Sequence, residues 1–261
     1  MPTVVHLFLN AWLVAAIVMA VAWIIHLIIK NAGVVDVFWG LGIVVISALY
    51  VIFGDGFQPR KRMIYLMVAL WGFRLSTLIF KRILHEKKED SRYQKIRESW
   101  KANVSLKFFL FFEFQAFLQI ILSLPFLFIC LNKYPQIQWM EWAGAVIWLG
   151  ALLGETFADE QLKSFRTNPQ NKGKVCNVGL WNYSRHPNYF FEWLVWVGFA
   201  IFALSSPYGW TGIISSLIML HLLLNVSGVP LAEEQSLKSR GDLYREYQRT
   251  TSIFIPLPKR K

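Results

Sequence analysis

Residues Val4–Ile29, VVHLFLNAWLVAAIVMAVAWIIHLII, decide the fold. They run without a single Lys, Arg, Asp or Glu, and a helix needs roughly 20 apolar residues to cross about 30 Å of hydrocarbon. Backbone groups in lipid must satisfy their own hydrogen bonds, so such a run is expected as a helix. It lacks the basic start and small-residue cleavage site of a secretory signal, and it is longer than a signal's apolar core. It is therefore expected to stay in the membrane.

Six further apolar runs follow, at Val34 to Phe53, Met63 to Leu84, Phe108 to Leu131, Trp139 to Glu160, Tyr189 to Ser205 and Tyr208 to Leu231. Arg74 interrupts one of them, and the short run from Tyr189 holds Glu192. Charged residues make up only 16% of the chain, against about 25% in soluble domains. The expectation is an all-α, multi-pass integral membrane protein of about seven transmembrane helices.

The net charge of +11 is compatible with nucleic acid, but its distribution argues for a membrane. Of 27 Lys and Arg, nine lie between Lys81 and Lys107, five between Gln161 and Asn188, and seven after Leu231. In a seven-helix chain these segments share one side, which the positive-inside rule makes cytoplasmic. The N-terminus is then outside and the C-terminus inside, with Arg60, Lys61 and Arg62 dissenting on the outer side. The same charge suits anionic lipid headgroups or an anionic cofactor. No nucleic-acid partner is expected.

Cys130 lies in an apolar run and Cys176 in a cytoplasmic loop, with no CxxC and no His/Cys ligand spacing. Neither a disulfide nor a metal site is indicated. There is no internal repeat, so one membrane domain is expected over residues 1–261.

Ionisable residues in membrane helices are costly and mark candidate sites. Asp36 begins the second run, either as a helix-start or interfacial carboxylate or as a desolvated carboxyl that donates a hydrogen bond to a substrate carbonyl. Arg74, Thr77 and Lys81 share a helix face that suits phosphates, unless Arg74 pairs with Asp36, Glu113 or Glu155. Glu155, Asp159, Lys163 and Arg166 form a stripe along the fifth run, expected either as local ion pairs or as the edge of a site. The stripe leads into Thr167–Lys174, where Asn168 and Lys172 suit a phosphorylated ligand. The mixed-sign loop Glu86–Tyr93 reads as a solvated face.

A denser group lies in Gly179–Trp193, GLWNYSRHPNYFFEW. Pro187 fits the first turn of a helix, with Ser184 or His186 as its cap. The N–H groups of that helix start, with Arg185 and His186, form a candidate anion site. Trp181, Tyr183 and Tyr189 offer flat faces to a nucleotide ring, and Asn188 and Tyr189 stand one turn from Glu192.

GLWNYSRHPNY with Glu192 and Trp193 resembles the signature of the bacterial branch of the steroid 5-alpha-reductase-like membrane proteins. Further matches are Asp36–Gly40, Ala158–Leu162 through Phe165 and Arg166, and the tail Tyr244–Pro256. The resemblance implies a seven-helix fold in the bacterial inner membrane, with an NADPH pocket facing the cytoplasm, carried by a half at about 140–261. A hydrophobic substrate, steroid-like or another lipid, would enter from the bilayer. Hydride would pass to the β-carbon of an enone while a donor polarises the carbonyl. Arg74, Arg166, Tyr183, Arg185, His186, Asn188, Tyr189, Tyr244 and Tyr247 then join Asn168 and Lys172 as cofactor residues, with Asp36 and Glu192 catalytic. The family's carbonyl-polarising acid has only Asp36 as a counterpart here, without a convincing tyrosine. Arg-His-Pro-x-Tyr is also similar to membrane methyltransferases of isoprenylcysteine or phospholipids, which use S-adenosylmethionine. A non-catalytic lipid-binding protein is a third expectation.

Overall fold

The computed structural model describes residues 2–85 and 89–259. Helix dominates, and no strand is present among the described residues. Among the described residues, five helical stretches are long and apolar enough to cross a membrane: Val4–Ile29, Val34–Phe53, Gln58–His85, Val104–Leu131 and Thr211–Arg240. The chain is an all-α integral membrane protein. It divides into two compact units, Met1–Gln138 with Ala203–Thr211, and Trp139–Phe202 with Gly212–Lys261.

The first unit holds α1 (Pro2–Ile29), α2 (Val34–Phe53), α3 (Gln58–His85), α4 (Ser91–Ser99) and α5 (Val104–Leu131). Helix α2 packs against α1, α3 and α5. Its approach to α3 depends on small residues, because a Cβ on Gly40 would lie 2.6 Å from Ser76 Oγ and 3.2 Å from the Gly72 carbonyl. Polar side chains then tie backbone to backbone. Ser76 Oγ donates to Val37 O at 2.9 Å, and Gln119 Nε2 donates to Phe38 O and Trp39 O at 3.1 and 2.8 Å.

At one end of this unit the α2–α3 turn meets the C-terminal end of α5 and its cap, through Gly56 N to Cys130 O and Phe57 N to Asn132 O, both 2.9 Å. Asn132 Nδ2 donates to Ser205 O at 3.1 Å, bringing the segment after Ala203 to the same end. Here the structure corrects the sequence reading of two cations. Arg60 and Lys61 are not loop charges but fully buried donors, 0% and 1% exposed. Arg60 donates to the carbonyls of Asn132, Tyr134 and Gln136, and Lys61 to those of Val51 and Gly54 at the C-terminal end of α2. The last carbonyls of a helix have no intrahelical partner and carry the negative end of its dipole, which a cation satisfies.

The second unit holds α6 (Trp139–Thr167), two 3-10 turns (Pro169–Asn171 and Gly179–Asn182), α7 (Pro187–Ala203), α8 (Thr211–His221), a π turn (Leu222–Val226), α9 (Val229–Arg240) and α10 (Asp242–Thr250). Ala203 and Thr211 themselves fall in the first unit. Two expected spans are not among the five apolar ones. Helix α6 carries Glu141, Glu155, Asp159, Glu160, Lys163 and Arg166, and α7 is 17 residues long.

Candidate functional site

In the first unit, the start of α2 and the α4 region form a charged cluster beside a small recess lined by Asn31, Gly33, Asp36, Arg82, Asp90 and Arg92, among others. Asp36 Oδ2 accepts from Arg92 Nη2 at 2.8 Å and Oδ1 from Tyr93 OH at 2.7 Å. Asp36 is therefore an acceptor held by two donors. The expectation of a carboxyl that donates to a carbonyl is corrected on this point, because the fold supplies it with a cation and a hydroxyl. Burial, and next the Asp36 charge, push the Tyr93 hydroxyl well above its ordinary range, so it stays a proton donor. Asp90 caps α4 through Arg92 N at 2.9 Å and pairs with Arg92 Nε and Arg82 Nη2, each at 3.0 Å. Arg74 lies midway along α3, partly buried. Of the mixed-sign loop, Glu86, Lys87 and Lys88 lie outside the described residues.

In the second unit the chain reaches α7 through an ordered approach. Gly179 adopts φ +54°, where a Cβ would strike Gln161, and Gln161 Oε1 takes the next N–H, that of Leu180, at 2.9 Å. Trp181 is buried with its indole N–H on Ala158 O at 2.9 Å, which removes it as an open stacking face. His186 occupies the cap position before Pro187, and its carbonyl accepts from Phe190 N at 3.1 Å. Ser184 Oγ takes the His186 N–H at 3.1 Å and donates to Phe254 O at 2.7 Å. The tail runs alongside, with Arg185 N on Ser252 O at 2.8 Å and Leu257 N on Tyr183 O at 3.0 Å.

Around this start, five hydrogen bonds from four side chains converge on Glu233 of α9. Oε1 accepts from Arg185 Nε at 2.7 Å, Tyr244 OH at 2.9 Å and His186 Nε2 at 3.1 Å. Oε2 accepts from Gln248 Nε2 at 2.5 Å and Arg185 Nη2 at 3.2 Å. Arg185 Nη1 also donates to the carbonyls of Gln248 and Thr251 at 2.9 and 2.7 Å. Four of its five N–H groups are thus engaged inside the protein. Tyr247 OH donates to the carbonyls of Trp181 and Ser184. Burial, then the Glu233 charge, raises the Tyr244 hydroxyl, and burial, then Tyr244, raises that of Tyr247, so both remain donors. The His186 ring stacks on Tyr189, 5.4 Å between centroids and 8° between planes.

Helix α7 carries the remaining candidates. Asn188 Nδ2 donates to Asp159 Oδ1 at 3.2 Å, and buried Glu192 accepts from Trp196 Nε1 at 3.0 Å. Asn188 Oδ1 and Trp193 Nε1 are buried without a hydrogen-bond partner among the described residues. In the α6 stripe, Lys163 pairs at the surface with Glu160 at 3.2 Å.

Asn188 and Tyr189 are half-buried, and the other predicted cofactor residues of this unit fall into two groups. Arg185, His186, Tyr244 and Tyr247 are buried, and the first three meet on Glu233. Arg166, Asn168, Lys172 and Tyr183 are exposed, with Asn168 Oδ1 capping its 3-10 turn through Gln170 N at 3.0 Å. Sequence reasoning missed Glu233 and Tyr93. Glu233 carries a signal that points to it, a carboxylate just past the first turn of a helix opened by Pro230, at the point where the last apolar run ends. Tyr93 carries none.

Fold and site define an all-helical integral membrane protein whose signature helix start is tied by a buried Arg–His–carboxylate cluster. A family model described as "Protein of unknown function (DUF1295)" matches residues 22–251, and the chain belongs to that family. An uncharacterized protein of Schizosaccharomyces pombe is 24% identical over 278 residues, covering 95% of this chain and 79% of the yeast protein. No solved structure matches the chain.

Proposed function

We propose that this protein is an NADPH-dependent membrane oxidoreductase that reduces a carbon–carbon double bond conjugated to a carbonyl in a hydrophobic substrate, steroid-like or another lipid, taken from the bilayer. Beside the steroid-reductase-like signature, the observation that carries this reading is the head of α7. There Asn188 Oδ1 and Trp193 Nε1 are buried with unmet hydrogen-bonding capacity. Leaving such groups unpaired costs about 1–3 kcal/mol each, and the amide and hydroxyl groups of a nicotinamide nucleoside have both the donors and the acceptors to meet them.

NADPH, when bound, supplies hydride. The chain's residues do the rest. The exposed Arg166, Asn168 and Lys172 offer donors to phosphates, and the Tyr183 ring, 47% exposed, offers a stacking face. Glu192 is the buried carboxyl one turn below Asn188, available to hold or pass a proton. Within the first unit, Tyr93 and Asp36 form a hydroxyl–carboxylate pair of the kind that polarises a carbonyl.

We also read α6 and α7 as spans, for seven in all, with the N-terminus outside and the C-terminus cytoplasmic. The positive-inside pattern supports this orientation. So does the burial of Arg60 and Lys61, which turns two of the three dissenting cations into internal donors.

One observation favours a second reading. Arg185 is engaged by Glu233 and two backbone carbonyls, so it is not available to a phosphate. S-adenosylmethionine carries no phosphate, and a membrane methyltransferase needs fewer cations. Titrating the detergent-solubilised full chain with NADPH and with S-adenosylmethionine separates the two. NADPH binding is expected; S-adenosylmethionine binding without an NADPH response replaces the first reading by the second. Binding of neither leaves a lipid-binding protein.

A further inference from the structure

The span Thr211–Arg240 is not one regular helix. Between α8 and α9 it passes through the π turn Leu222–Val226, closed by Ser227 N on Leu222 O at 2.9 Å, one residue wider than an α turn. The sequence provides for this break: a Cβ on Gly228 would lie 2.4 Å from Leu223 O, and Pro230 opens the next helix. At the break stand two polar side chains, His221 and Asn225, both exposed and hydrogen-bonded to each other, with Asn225 Nδ2 and His221 Nδ1 3.3 Å apart. That bond takes one nitrogen from each and leaves the pair with capacity for a further group. His221 lies about 15 Å along the axis from Thr211, half of the ~30 Å hydrocarbon layer. Polar groups and irregular backbone are costly against lipid at that depth, and membrane proteins keep them where they meet protein or line a site. N-terminal to the pair, Ile213, Ile214 and Leu217 are exposed as well. Ile214, Leu217, His221 and Asn225 therefore form one stripe at helical spacing, apolar along its length and polar at one end.

We propose that this stripe binds a lipid whose hydrocarbon body lies along Ile214 and Leu217 and whose uncharged oxygen, a carbonyl or hydroxyl, bonds the His221–Asn225 pair at mid-depth. The proposal rests on the reading that the substrate is a hydrophobic molecule taken from the bilayer, and it narrows that molecule's class. A phospholipid does not fit, because its charged headgroup stays at the interface and only plain acyl chain reaches the middle of the layer. A hydrocarbon does not fit either, because a site built to hydrogen-bond an oxygen discriminates against the analogue that lacks it. What fits is a largely apolar molecule with its oxygen function inside the hydrocarbon layer. The pair binds and orients that oxygen; no bond is made or broken at it.

The test is photolabelling of the full chain in lipid nanodiscs with two probes. One is a diazirine-bearing long-chain ketone with its carbonyl at mid-chain, and the other is the same molecule with a methylene in place of the carbonyl. Mass spectrometry reads the labelled fraction of residues 211–228. The ketone should label this stretch saturably, and excess diazirine-free ketone should cut the labelling about tenfold, whereas the methylene probe should show no such competition. With His221→Leu and Asn225→Leu together, the competed labelling should fall about tenfold. Equal, uncompeted labelling by the two probes overturns the proposal, as does competed labelling that the double substitution leaves unchanged. The comparison of the two probes on the wild type decides even where the variant fails to fold. Leu217→Cys under mild oxidation tests the other occupant: a crosslinked dimer makes the stripe a contact between copies and overturns the proposal. A parallel NADPH titration keeps the two readings apart. Competed ketone labelling without an NADPH response leaves this site standing and fails the oxidoreductase reading; NADPH binding without competed labelling fails the site alone.

Discussion

Arg185 and Glu233 form a two-point ion pair, Nε to Oε1 at 2.7 Å and Nη2 to Oε2 at 3.2 Å, with side chains only 9% and 13% exposed. The pair fastens the residue before the cap of α7 to α9, and through Tyr244 and Gln248 it fastens both to α10. Removing one partner leaves an uncompensated buried charge, which costs about 3–5 kcal/mol. Arg185→Ala is therefore expected to lower the stability of the solubilised protein by that amount in denaturant unfolding. Arg185→Lys should recover less than half, since a single ammonium cannot reproduce the two-point geometry and the two carbonyl contacts.

The Tyr93–Asp36 hydrogen bond separates anchoring from chemistry. Tyr93→Phe removes a bond to a charged acceptor, a loss of about 1.5–3 kcal/mol. Asp36→Asn should slow enone reduction more than it weakens NADPH binding. With both substitutions together, the loss in turnover should be smaller than the sum of the two, because the groups act as one unit. Steady-state rates and cofactor titrations on the three variants check this, and equal effects on rate and affinity would remove Asp36 from the catalytic list.

Glu192→Gln isolates the carboxyl of α7. The amide keeps an oxygen for Trp196 Nε1, now 3.0 Å from Glu192 Oε1, so thermal unfolding should change little. Turnover should fall about 10²-fold if the carboxyl moves a proton. An unchanged rate would reduce Glu192 to an anchor for Trp196.

Lys61 is a folding element. Lys61→Met keeps the stem but strips the donor from Val51 O and Gly54 O, at 2.9 and 2.6 Å. A loss of about 1–3 kcal/mol is expected for each carbonyl left dry, read in denaturant unfolding of the solubilised protein.

Asp90 gives the first unit an acid limit. Burial opposes its charge, but the hydrogen bond and charge of Arg92, with Arg82, outweigh burial and hold the carboxyl below the usual range. A carboxyl whose folded value is depressed contributes its full stability above the unfolded value of about 3.9 and loses it as pH falls toward the folded value. Thermal unfolding between neutral pH and pH 3 should show this loss, and Asp90→Asn should lower stability at pH 7 while flattening the acid slope.

Much of the molecule was legible in order along the chain. Runs such as Val4–Ile29 dictated helices because a backbone in hydrocarbon has no other partner for its polar groups. Pro187 marked the start of α7 because its missing N–H is harmless only in a first turn. Both are local effects, set within a few residues. What local pattern left open was the pairing of buried charge. Glu233 lies 48 residues from Arg185, and Tyr93 lies 57 from Asp36. Any of several acids could have met Arg185 as far as sequence spacing goes. Packing of α7, α9 and α10 selected one, since a buried cation is stable only where enough acceptors converge on it. The same rule turned Arg60 and Lys61 from apparent loop charges into internal donors. Residue types and helix starts were thus determined by the sequence itself. Which polar groups meet was decided by tertiary structure.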